Sequence, residues 1–126
     1  MTVVTKRYAA LGCLLAALAV IAGALGSHAL REVLSPKMMA VYQVAVQYHF
    51  YHALGLLAVA GLANLVRDQR WVKWAGAAML LGILLFSGSL YLLSLTGIHW
   101  LGAITPLGGL SFILAWVLLA LAAFKG

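Results

Sequence analysis

The chain has 126 residues, 66% hydrophobic and only 8% charged, with a net charge of +6. A soluble domain carries about 25% charged residues, so this composition cannot build a water-facing surface and the expected solvent is the lipid bilayer. The basic residues stand in small groups between apolar runs, the pattern of topology signals and anionic-lipid contacts, so no nucleic acid is expected as a partner.

Lys6 and Arg7 precede the uncharged run Tyr8–Ser27, which as a helix is about 30 Å long and matches the hydrocarbon core. Ala22-Gly23-Ala24 resembles a signal-peptide cleavage site. The apolar stretch exceeds the usual h-region of about 7–15 residues, however, so a retained spanning helix is expected. Gly12, Ala16, Ala19, Gly23 and Gly26 recur at helical spacing and predict a seam of close helix packing. His28–Lys37 reads as a connection. Ser35-Pro36 then reads as an N-cap with proline at the first helical position, opening a helix that ends before Arg67.

That second helix carries the densest polar stretch in the chain, Val41–His52. Helical spacing puts Tyr42, Ala45, Tyr48, His49 and His52 on one side, and Gln43, Gln47, Phe50 and Tyr51 on the other. Amides and imidazoles in lipid need partners from other helices or from interfacial water. The third helix, from about Val72 to Thr96, offers some. Ser87, Tyr91 and Ser94 share one of its faces, and Gly82, Ser89 and Thr96 share the other. The segment Gly97–Ile104 reads as a turn, and Thr105-Pro106 repeats the hydroxyl-proline start of a fourth helix ending near Phe124. A single cysteine, Cys13, permits no intrachain disulfide.

The expected fold is therefore all-α and integral to the membrane, a single four-helix transmembrane bundle over 1–126, with helices at about 8–27, 36–66, 72–96 and 106–124. Lys6, Arg7, Arg67, Arg70, Lys73 and Lys125 fall on one side of it, and only Arg31 and Lys37 on the other. By the positive-inside rule both termini are expected in the cytoplasm. The four histidines, His28, His49, His52 and His99, then lie toward the outer face.

Two chemical readings of that end stay open. One is an interfacial aromatic belt with satisfied polar contacts. The other is a metal or haem site using His28, His49 and His52. His49 and His52 lie one turn apart, so they could share one ion but could not supply opposite axial ligands of one haem. A Ser-His-Asp relay cannot assemble within one subunit, because Asp68 belongs to the opposite face from every histidine. No enzyme is expected on these grounds. The candidate cluster is His28, Tyr42, Gln43, Gln47, Tyr48, His49, His52, Ser87, Ser89, Tyr91 and Thr105.

The stretches Gly23–Leu30 (GALGSHAL), Val41–Leu54 (VYQVAVQYHFYHAL), Leu85–Tyr91 (LFSGSLY) and Ile104–Gly109 (ITPLGG) occur in this order. Together they resemble the small bacterial membrane family known as domain of unknown function 423, whose animal relatives are called transmembrane protein 256. Ser27 stands where that family usually has alanine. The resemblance implies a four-helix inner-membrane protein and carries no activity with it. It marks His28, Tyr42, Gln43, Tyr48, His52, Ser87, Gly88, Ser89, Tyr91, Thr105, Pro106 and Gly109. The first functional expectation is a non-enzymatic accessory or small-ligand-binding membrane protein, alone or in a homo-oligomer or larger membrane complex. A metal- or haem-binding redox protein is the second, and a small proton or solute pathway through an oligomer is the third.

Overall fold

The computed structural model describes residues 1–125, and every regular element among them is helical. The first helix, α1 (Val3–Leu25), starts ahead of the Lys6-Arg7 pair because Thr2 caps it, its hydroxyl accepting the Thr5 N–H. It does not stop at Ser27. It continues as a π-helical turn, Gly26–Leu30, so His28 sits on a helical turn rather than in a connection. The chain can carry on there because Gly26, lacking a Cβ, lies against the Tyr42 ring, where a Cβ would stand 2.6 Å from Cε1.

Ser35 and Pro36 act as their residue types dictate. The Ser35 hydroxyl accepts the Met38 N–H and Pro36 opens α2 (Pro36–Ala63). This helix ends at Ala63 rather than near Val66. The side-chain amide of Gln69 donates to the carbonyls of both Ala63 and Val66, at 2.8 Å each, which closes the terminus locally.

The next rod, Arg70–Thr96, is continuous but not uniform. It consists of α3 (Arg70–Gly82), a π-helical turn (Ile83–Ser87) and α4 (Gly88–Thr96). It stops at Gly97, whose φ of 74° is left-handed, the usual glycine solution for ending a helix. A 3-10 turn, His99–Ala103, leads into α5 (Thr105–Lys125).

Three rods are long and apolar enough to cross a membrane: Val3–Leu30, Arg70–Thr96 and His99–Lys125. The fourth helix, α2, is diluted by its Gln, His and Tyr residues, and it contacts α1, α3, α4 and α5. Its residues Tyr42, Ala45, His49, His52, Ala53, Leu56, Val59 and Ala63 are all buried. The polar stretch thus lies where other helices can answer it.

α1 packs along α2, α3 packs on α5, and α2 also meets α3 and α4. The small-residue seam of α1 lies on α2. A Cβ on Gly12 would stand 2.9 Å from the Ala53 carbonyl oxygen. The apolar core joins Leu56 and Val59 of α2 to Val72 and Met79 of α3 and Ala115 of α5. On the other side of the molecule, Gly108 of α5 meets the backbone of the π turn, where a Cβ would collide with the Phe86 main-chain nitrogen.

One end of the molecule gathers cations and tryptophan. The Tyr8 hydroxyl donates to the Lys73 carbonyl at 2.9 Å, and Arg70 and Lys125 both lie over the Trp71 ring. Asp68 is the anion there. The Arg70 main-chain N–H donates to its carboxylate, and this, with the Arg70 guanidinium beside it, holds the carboxyl below the usual range. That pair is exposed and contributes little.

The Gly108 contact yields a prediction. Gly108→Val forces the α5 backbone away from Phe86 and should destabilise the protein by about 1–3 kcal/mol, the usual cost of overpacking. At Gly61, a helical glycine, an added Cβ would meet nothing within 4 Å, so Gly61→Ala should be accepted with no loss. Detergent-unfolding curves on both variants check the pair.

Candidate functional site

The buried face of α2 makes a ladder of hydrogen bonds to three neighbouring elements. At its outer rung the Tyr42 hydroxyl donates to the Ala22 carbonyl of α1. One turn on, the Ala45 carbonyl accepts from the Ser87 hydroxyl at 2.8 Å. Next, His49 Nδ1 pairs with the Tyr91 hydroxyl at 2.8 Å. The Tyr91 ring also meets Tyr42 edge-on, at 5.4 Å between centroids. Ser87 and Tyr91 belong to the rod face that helical spacing singles out.

His52 is the most fully committed group. Trp116 of α5 donates its indole N–H to His52 Nε2 at 3.0 Å. An indole nitrogen can only donate, so Nε2 must carry a lone pair and the imidazole proton sits on Nδ1. That proton is used as well, on the Tyr48 carbonyl at 2.7 Å. The ring lies flat on Phe112, at 3.4 Å and 9°. His52 is therefore a neutral, oriented packing element, and neither nitrogen is left for a metal or haem iron.

His49 differs. It is 6% exposed, and its Nε2 has no hydrogen bond of ordinary geometry. Its Nδ1 is paired with the Tyr91 hydroxyl, and the direction of that bond follows the tautomer.

The remaining candidates separate. Ser89 and Thr105 pair hydroxyl to hydroxyl at 2.7 Å, tying α4 to the start of α5. Tyr48 lies on the rim, 38% exposed, against Phe86 and Phe112. Gln43 and Gln47 are exposed on the opposite side of α2, and His28 and His99 are exposed as well. Among the described residues no three His, Cys, Asp or Glu side chains stand close enough to share a metal ion. The expected set of His28, His49 and His52 is therefore not brought together. The reason is geometric: His28 continues α1 outward on its π turn, and the His52 lone pair turns to Trp116.

Beside the ladder a groove of about 390 Å³ opens between α1 and α4. Leu18, Ile21, Leu25 and Leu30 form one wall and Leu95 stands on the other, with Tyr42, His49 and Tyr91 also lining it. Its volume falls in the range of about 300–1,000 Å³ typical of small-ligand sites.

The family described as "Protein of unknown function (DUF423)" matches residues 22–109. The chain belongs to it. Relatives named UPF0382 membrane protein agree over nearly the whole length. YwdK of Bacillus subtilis is 50% identical over 95% of this chain and 98% of its own. SH2409 of Staphylococcus haemolyticus is 45% identical over 95% and 97%, and SAB0533 of Staphylococcus aureus is 42% identical over 95% and 97%. No solved structure matches. The matched span of this DUF423 chain contains Tyr42, His49, His52 and Tyr91, but ends before Phe112 and Trp116. This protein is a membrane protein, as its relatives are named and its apolar rods require.

Phe112 and Trp116 are not among the candidates that the sequence singles out. They stand one turn apart on α5, and a membrane tryptophan whose N–H needs an acceptor was the available signal. Trp116→Phe removes the donor and strands His52 Nε2. A double-mutant cycle with His52→Ala should give a coupling of about 0.6–1.7 kcal/mol, the range seen for hydrogen bonds between membrane helices. A coupling near zero in detergent-unfolding measurements would show that the bond contributes nothing.

Proposed function

We propose that this protein is a non-enzymatic, small-ligand-binding protein of the bacterial inner membrane. It crosses the bilayer four times as a single unit, with both termini in the cytoplasm and its polar ladder toward the outer face. The observation that carries the binding role is the groove between α1 and α4, which opens sideways and is lined by the Tyr42, His49 and Tyr91 side chains. A groove that faces lipid, with apolar walls and a few polar groups, suits a molecule that arrives through the bilayer rather than from water.

The orientation rests on charge. Arg7, Arg67, Arg70, Lys73 and Lys125 belong to the end where Tyr8 meets Lys73 and Lys125 meets Trp71. Basic groups mark the cytoplasmic interface, while tryptophan marks either one. The opposite end, with Arg31, Glu32 and Lys37, carries far less charge. α2 crosses as the fourth span because its imidazoles and buried tyrosine are answered from within, which is the condition for polar side chains at membrane depth.

A metal- or haem-based redox role finds less support. It would need free imidazole lone pairs, but the His52 one accepts from Trp116, and His49 Nδ1 is paired with Tyr91. Self-association draws on a different observation: Gln43 and Gln47 stand exposed one turn apart on the outer side of α2. Primary amides both donate and accept, so the same stripe on a second copy would answer them.

Two measurements test this reading. A reporter fused to the C-terminus should be active only in the cytoplasm, and a periplasmic signal would contradict the topology and the placing of the ladder. Protein extracted into nanodiscs directly from its native membrane should carry one lipid-soluble species enriched over bulk lipid, and Leu95→Trp, which fills the groove, should lose it. Bulk lipid alone in both samples would contradict the binding role.

A further inference from the structure

At the basic end of the molecule a second cleft, of about 440 Å³, opens between α1 and α3. Tyr8 sets the level of the two helices there. Its ring lies on Gly76 of α3, where a Cβ would collide with it, and its hydroxyl donates to the Lys73 carbonyl. Arg7 of α1 and Lys73 of α3 both line the cleft and both are exposed. Leu11 follows Arg7 by one helical turn and Leu80 follows Lys73 by two, and these also line it. Two cations thus stand at the interface, above aliphatic walls that descend about 10 Å into the apolar rods at 1.5 Å per residue.

These cations lack an anion within the protein. The chain has eight basic side chains and two acidic ones. Asp68 is taken by Arg70, and Glu32 follows the far end of α1. Arg70 and Lys125 lie over Trp71, but among the described residues Arg7 and Lys73 make no ion pair. Both helices also begin at this end, so their dipoles add positive potential to the side-chain charges.

We propose that this cleft binds an anionic phospholipid, its phosphate held between Arg7 and Lys73 and an acyl chain lying along Leu11 and Leu80. The site is separate from the groove between α1 and α4, and it stands whether or not that groove takes a ligand. Guanidinium forks and ammonium point charges are both established phosphate partners, and basic pockets between membrane helices suit anionic heads. The tail follows from the order of the lining. A free phosphate would meet the cations and leave the walls unused, whereas a lipid presents charge and hydrocarbon in the same sequence as the cleft. The head follows from the missing carboxylate. A zwitterionic lipid would bring an ammonium that finds no acid and is repelled by the second cation. A head with net negative charge and no amine, such as phosphoglycerol, meets neither penalty.

The test titrates the full chain, in a neutral maltoside detergent, with dioleoylphosphatidylglycerol or dioleoylphosphatidylcholine. Native mass spectrometry counts the bound lipid. Phosphatidylglycerol should saturate one site and phosphatidylcholine should not. Arg7→Gln and Lys73→Gln should each weaken binding about fivefold, the share of one basic group near a membrane surface. Arg67→Gln, at the same end but outside the cleft, should leave it unchanged. Leu11→Trp, which fills the cleft at constant charge, should lose the lipid, and soluble glycerophosphoglycerol should not compete. Phosphatidylcholine bound as tightly as phosphatidylglycerol, or competition by the soluble head at equal concentration, would overturn the anionic lipid as ligand. Equal weakening by Arg67→Gln and Arg7→Gln, or binding indifferent to Leu11→Trp, would show diffuse surface charge and overturn the cleft. Unfolding curves check each variant. Should Leu11→Trp unfold, the comparison of Arg7→Gln with Arg67→Gln still decides.

Discussion

A tryptophan that can only donate, set against a histidine nitrogen that must then accept, is the contact on which the polar architecture depends. It joins α5 to α2 and fixes the His52 tautomer. That tautomer directs Nδ1–H to the Tyr48 carbonyl and leaves the ring neutral and flat on Phe112. In an apolar medium an unmade hydrogen bond costs more than a made one gains. The interaction therefore acts chiefly as a register device. α2 can enter the interior of the assembly only at the depth and rotation that seat His52 under Trp116.

The rest of the ladder follows from that placement. With α2 rotated this way, the Ala45 carbonyl meets Ser87, His49 meets Tyr91 and Tyr42 meets the Ala22 carbonyl. Two of these rungs fall at local departures from α-helix. The Tyr42 contact lies where α1 passes into its π turn, and Ser87 closes the π turn between α3 and α4. Such turns re-aim side chains and free carbonyls, and they concentrate at functional sites. The groove lies on the side of this ladder that the described helices leave open. The stabilising contacts and the proposed binding surface thus share Tyr42, His49 and Tyr91.

Much of this was legible in the sequence. Composition alone pointed to lipid as the solvent, and the pair Ser35-Pro36 fixed the start of α2. The spacing of Ser87 and Tyr91 placed both on one face of the third helix as partners for the second, and the spacing of Gly12 to Gly26 marked a close-packing seam on α1 without naming the helix it meets. Family membership was readable from four ordered motifs. The missed features have physical reasons. A π turn adds one residue to a hydrogen-bonded ring and leaves no reliable mark in residue type, so the extension of α1 through His28 has no signature in the chain. The acceptors for Tyr42, Ser87 and His52 are main-chain carbonyls of Ala22, Ala45 and Tyr48, which no side-chain pattern announces. A shared metal for His28, His49 and His52 is a fair reading of three imidazoles at one end. The direction of a single lone pair, toward Trp116, is beyond what spacing can tell.

The account is tested most directly by nitrogen NMR of the chain carrying isotope-labelled histidine in nanodiscs, with His49 and His52 assigned by single substitutions. Each neutral imidazole reports which of its nitrogens bears the proton. The structure requires the proton on Nδ1 for His52, with a coupling across the bond from Trp116 to Nε2. The opposite tautomer at His52, or a ring exchanging between the two, would contradict the lock and with it the register of α2.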